Sequence, residues 1–126
     1  MKVRDMVHGE PATAAPEESA ASAWGRMQTA RVDHLVVVSR GRVVGLLSRQ
    51  DMSGPSGGAH RRMGRRVADL MRGEVLTVSP QTDVRSAVSR MRRQHLACLP
   101  VVERGQLVGA ITVSDLLQLL EQERRA

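Results

Sequence analysis

At 126 residues the chain has the length of one compact domain, or of one built from two halves. Its 41% hydrophobic content, with Trp24 the only aromatic, calls for a core of aliphatic side chains, and the lone Cys98 excludes an internal disulfide. The net charge of +6, nearly all arginine because Lys2 is the only lysine, suits an anionic partner, although genome composition alone can produce such a bias.

No apolar run approaches the ~20 residues of a membrane span, and the N-terminus lacks the apolar stretch of a signal peptide. A cytoplasmic protein with no membrane partner is expected. The main organising feature is an internal repeat. Laid so that Val3 falls on Val67, Val3–Met52 covers Val67–Leu116 without a gap, with about a third of the positions identical. Matches include Asp5/Asp69, Gly9-Glu10/Gly73-Glu74, Thr13/Thr77, Pro16/Pro80, Arg26-Met27/Arg90-Met91, Val44-Gly45/Val108-Gly109 and Asp51/Asp115. The expected organisation is repeat one over 1–52, a linker over 53–66 rich in Gly, Ser and Arg, and repeat two over 67–126. The arginines of the linker read as a solvated tether or as an anion-binding arm.

In the first copy, Pro11–Ala15 makes a poor strand, and Ala15 cannot cap the following helix through a side chain. Gly25 weakens that helix by roughly 1 kcal/mol relative to alanine, and Gly54-Pro55 cuts the terminal helix short. In the second copy, Val75–Val78 reads as a short β-branched strand, and Ser79-Pro80 as N-cap and first residue of a helix. Val84, Ala87, Val88 and Met91 carry that helix to about Gln94. Cys98–Val102 and Leu107–Ile111 are strands joined by a turn through Gly105, and a last helix runs from about Val113 to Glu123. Each copy is therefore β-α-β-β-α, an α/β (α+β) pattern.

Gly-x-x-[Ser/Thr]-x-x-Asp closes a strand and opens a helix in both copies, through Ser48 and Asp51, then Thr112 and Asp115. A hydroxyl and free backbone N–H groups there suit a phosphate, and the aspartate can accept from two ribose hydroxyls. The same spacing is also that of a capping box, and both roles stay open. The histidines 8, 34, 60 and 95 show no metal-ligand spacing, so no metal is expected. Cys98, in an apolar strand, reads as an inert thiol, Trp24 as core or dimer interface, and Arg90, Arg92 and Arg93 as a solvated face. No nucleophile, base and oxyanion set assembles, so an enzyme is not expected.

The ordered run Ser79-Pro80, Leu99-Pro100-Val101-Val102, the glycine turn, then Leu107-Val108-Gly109 to Asp115-Leu116 resembles a CBS (cystathionine β-synthase) domain. Leu35–Val38 and Val43-Val44-Gly45 to Asp51-Met52 repeat it. The resemblance implies two tandem β-α-β-β-α repeats packed about a pseudo-twofold axis, and a homodimer. It further implies a regulatory module with no required cofactor, sensing an adenosine nucleotide or an S-adenosylmethionine-like ligand and acting in trans on a protein partner. Adenine contacts would then fall on Thr77, Val75, Pro100 and Val101 in copy two, with Thr13 and Val37 in copy one. His34 takes the place of a basic residue near the ligand phosphates, whereas copy two has Cys98 there, so the two sites should differ; copy two has the better-formed strand and pocket wall, so stronger adenosine binding is expected at Thr112 and Asp115. The alternatives are a nucleic-acid-binding protein, which the lack of Phe and Tyr disfavours, and a ligand-free dimerisation module.

Overall fold

The computed structural model describes residues 1–7, 10–54 and 58–125. Residues 55–57 of the expected linker, together with His8 and Gly9, lie outside the described residues. The chain divides into two compact units, one of residues 11–75 and one of residues 1–10 with 76–126.

The unit of residues 11–75 contains β1 (Thr13–Ala14), α1 (Ala20–Ala30), β2 (His34–Ser39), β3 (Arg42–Ser48) and the short helices α2 (Arg49–Ser53), α3 (Ala59–Arg62) and α4 (Val67–Leu70). β1 runs parallel to β2, and β2 antiparallel to β3. The hairpin turns through Arg40 and Gly41, both at positive φ (53° and 79°), a geometry that matches strand twist and favours glycine. Helix α1 begins later than the sequence suggests. Ser19, not Ala15, is its N-cap, accepting from the Ser22 N–H at 3.1 Å. The core joins Ala20, Ala23 and Met27 of α1 to Leu35, Val37, Leu47 and Met52. It is completed by Val67 and Leu70, the opening residues of the second copy.

The other unit contains a 3-10 turn (Val3–Asp5), α5 (Val84–Gln94), the antiparallel pair β4 (Cys98–Glu103) and β5 (Gln106–Thr112), and α6 (Val113–Arg125). Val3 and Met6, from the opening of the first copy, pack with Val78, Val84, Ala87, Met91, Leu99, Val101 and Ile111. Each unit thus takes its opening turn from the other copy.

This exchange accounts for the repeated Val-Gly pair. The peptide of Met71 and Arg72 crosses Gly45, where an added Cβ would meet the Met71 side chain and come 3.1 Å from the Arg72 carbonyl. At Gly109 an added Cβ would meet the Val7 side chain. Arg72 exchanges both backbone hydrogen bonds with Leu46, at 3.0 and 2.9 Å.

Three sequence expectations need correction. Val75–Val78 is not a strand: only Val78 finds a partner, bridging to Val101, and β propensity without a neighbouring strand forms no ladder. Ser79-Pro80 does not open the helix. Ser79 and Thr82 hydrogen-bond each other instead, and the Pro80 and Thr82 carbonyls accept from Arg4 and Val3, leaving Asp83 to cap α5 through the Arg85 N–H. The expected tether is, in its described part, a docked turn. The Arg61 Nε donates to the Asp51 carbonyl at 2.7 Å, the Arg62 guanidinium donates to the Met52 carbonyl, and Arg62 also stacks 3.9 Å over half-buried Trp24.

Candidate functional site

In each unit a strand of the hairpin runs directly into a helix, and the junction holds the repeated hydroxyl and aspartate. At the β3–α2 junction the Ser48 N–H donates to Asp51 Oδ2 at 3.1 Å, and the Asp51 N–H donates back to Ser48 Oγ at 3.0 Å. At the β5–α6 junction the Thr112 N–H donates to Asp115 Oδ2 at 2.8 Å, and the Asp115 N–H donates to Thr112 Oγ1 at 3.2 Å. Both pairs are reciprocal capping boxes. Each box employs a single carboxylate oxygen. Asp115 Oδ1 has no hydrogen-bond partner among the described residues, so capping leaves acceptor capacity for a ligand.

The electrostatics of the two junctions differ. His34 opens β2 in register with Ser48 and is half-buried. Burial lowers its pKa, with Arg72 adding to the effect while Asp33 and Asp51 oppose it. Arg72 Nε lies 3.7 Å from Asp51 Oδ1, the oxygen that the capping box leaves unused. The Arg72 side chain is 62% exposed, that of Asp51 18%. Asp33 in turn stands 3.2 Å from Arg49 Nε, without hydrogen-bond alignment.

In the other unit Cys98 takes the register position facing Thr112. Burial, assisted by the negative charge of Asp115, pushes its thiol up to about 12, so it stays protonated and neutral. Among the described residues no arginine or lysine pairs with Asp115.

The structure groups the expected site residues unevenly. His34, Ser48 and Asp51 cluster at one junction, with Thr13 on the neighbouring edge strand β1, where its carbonyl accepts from Arg26 at 2.8 Å. Thr112, Asp115, Pro100, Val101 and Thr77 belong to the other unit, and Val75 is the last residue of the first. Val37, Pro100 and Val101 are fully buried, Val37 and Val101 as core members, and Thr77 and Val75 are half-buried. Sequence reasoning missed Arg72. It precedes the repeated Gly-Glu pair, but nothing in its spacing links it to Asp51; the contact arises because the exchanged segment pairs with Leu46 of β3.

Two copies of one hairpin-and-helix unit, each ending in the same hydroxyl–aspartate junction, match the CBS domain family over residues 3–54 and 67–122. The chain belongs to the CBS domain family. It is 37% identical over 91 residues to the magnesium transporter MgtE of Thermus thermophilus, covering 70% of this chain and 18% of the transporter. It is 30% identical over 114 residues to the inosine-5'-monophosphate dehydrogenase of Korarchaeum cryptofilum, covering 90% of this chain and 22% of that protein. The chain therefore spans about a fifth of the length of these two relatives. The CBS domain-containing protein YhcV of Bacillus subtilis is 25% identical over 114 residues, which is 90% of this chain and 81% of YhcV. Among solved structures, a protein described as a putative acetoin utilization protein, AcuB, of Vibrio cholerae superposes with a TM-score of 0.84 at 26% identity, covering 100% of this chain and 97% of that one. The CBS domain pair of protein MJ0100, in complex with 5'-methylthioadenosine and S-adenosyl-L-methionine, gives 0.86 at 22% identity over 98% of both chains, a likeness of fold. Among the described residues of this CBS chain no helix is long and apolar enough to cross a membrane, and no three His, Cys, Asp or Glu side chains gather as a metal site.

Proposed function

We propose that this CBS pair is a regulatory module that binds adenosine-type ligands at its two strand–helix junctions and acts in trans on a protein partner. The observation that carries the reading is the doubled junction, in which Ser48 with Asp51 and Thr112 with Asp115 leave a carboxylate oxygen beyond what the helix cap uses. A ribose diol needs such an acceptor, and the hydroxyl beside it suits a phosphate or a neutral 5' group. Support comes from the MJ0100 pair, whose fold this chain shares and which holds two adenosine compounds. In this reading Thr13 and Val37 flank the base in the first site. Thr77, Pro100 and Val101 flank it in the second, and the buried members contribute through their backbone. The protein works as a cytoplasmic homodimer, and exposed Val113, Leu117 and Leu120 on α6 supply apolar surface for association.

The nucleic-acid alternative is weakened by how the arginines are used. Arg26, Arg61 and Arg62 are engaged in contacts within the chain. A thermal-shift series with AMP, ATP, adenosine, 5'-methylthioadenosine and S-adenosylmethionine tests the reading. A ligand at about 100 times its dissociation constant adds roughly 2.7 kcal/mol of stability. No shift with any of them, alongside binding of oligonucleotides whose affinity collapses with salt, would overturn it. Sedimentation equilibrium at micromolar concentration should give twice the chain mass, and a monomer there refutes the dimer.

A further inference from the structure

The two junctions share a backbone but not their charges. Around Asp51 stand Asp33, His34, Arg49 and Arg72; the copy-two positions matching the first three are Ala97, Cys98 and Val113, none of them charged. Arg72 covers the one Asp51 oxygen that the cap does not use, the oxygen a ribose diol would need. A ligand entering there must displace the guanidinium from its partner. An anionic ligand supplies a replacement: the exposed, flexible Arg72 leaves Asp51 and pairs with the ligand phosphate, while the ribose hydroxyls take its place on the carboxylate. A neutral nucleoside breaks the same ion pair and returns nothing. A cationic sulfonium ligand adds repulsion. At Asp115 no arginine or lysine among the described residues stands in the way, and the neighbouring Cys98 is neutral.

We infer that the two sites sort adenosine ligands by charge: the Ser48–Asp51 site, through Arg72, takes phosphorylated adenosine nucleotides, and the Thr112–Asp115 site takes neutral or cationic adenosine compounds. This rests on the adenosine reading above and assigns Arg72 as the specificity residue of the first site.

The test is calorimetry on the full chain with AMP, adenosine and 5'-methylthioadenosine. It is run on the parent protein, on D115N to isolate the first site, and on D115N carrying R72Q or R72K. Because the Arg72 side chain is largely exposed, both substitutions should leave the melting temperature within a few degrees of the parent. In D115N, AMP should bind at least tenfold more tightly than adenosine, R72Q should abolish that preference, and R72K should restore most of it. In the parent, 5'-methylthioadenosine should occupy a site that D115N removes. If the chain binds adenosine compounds but R72Q leaves the AMP-to-adenosine ratio unchanged, the charge sorting is wrong while the adenosine reading stands. If none of the three ligands binds the parent, both fall.

Discussion

Replacing Asp115 separates helix capping from ligand binding, because alanine and asparagine remove different things. The Asp115 carboxylate accepts the Thr112 N–H at 2.8 Å, while the return bond to Thr112 Oγ1 comes from the backbone and survives substitution. Asp115→Ala leaves the half-buried Thr112 amide without its acceptor. That should cost about 1 kcal/mol and lower the melting temperature by about 3–5 °C for a chain of this size. Asp115→Asn keeps an oxygen in the same place, so its melting temperature should stay within about 1–2 °C of the parent. Both variants lose the charge that Oδ1 would offer a ribose. A hydrogen bond to a charged group contributes about 1.5–3 kcal/mol, so affinity for 5'-methylthioadenosine should fall roughly ten- to a hundredfold in either variant. Asp51→Ala, which alters the other unit, should cost far less for that ligand. Differential scanning calorimetry and isothermal titration on the same preparations give both readouts. If Asp115→Asn binds like the parent, the aspartate is a helix cap and nothing more.

The glycines provide a pair of opposite sign. Gly109→Ala drives a methyl into Val7 and should destabilise by about 1–3 kcal/mol, whereas Gly25→Ala meets nothing within 4 Å on α1 and should stabilise by up to about 1 kcal/mol, both read by chemical denaturation. His34, held below the ordinary imidazole value by burial, favours the neutral form in the folded state. Its contribution to stability is present above about pH 6.5, the unfolded value, and is lost as pH falls toward the lower folded value. His34→Gln should flatten the decline in unfolding free energy across that interval, and an unchanged slope would show that His34 is not its source. Cys98, buried and raised to about 12, should resist iodoacetamide at pH 8 until the protein is unfolded; rapid native labelling would contradict its burial.

Much of this protein is readable in the chain because the signals are local. The repeat, the hairpins around Arg40-Gly41 and Arg104-Gly105, the course of α5 to Gln94 and the Ser48–Asp51 and Thr112–Asp115 junctions depend on propensity, turn geometry and short hydrogen bonds. These interactions span a few residues, so periodicity and spacing reveal them. Tertiary structure decided what happens where one segment meets another distant in sequence. Ser79-Pro80 became a turn because its carbonyls were claimed by Val3 and Arg4, and Val75–Val78 found a neighbour only at its last residue. Of the linker arginines, Arg61 and Arg62 turned to the carbonyls near the end of α2, and Arg62 stacked on Trp24. The exchange of opening turns placed Val67 and Leu70 in the core of the first copy, explained Gly45 and Gly109, and carried Arg72 to Asp51. A repeat aligned with itself shows that two halves are alike, but not which segment of one completes the core of the other. That choice depends on burying apolar surface across distant segments, and it brought the charge of Arg72 to the Asp51 junction.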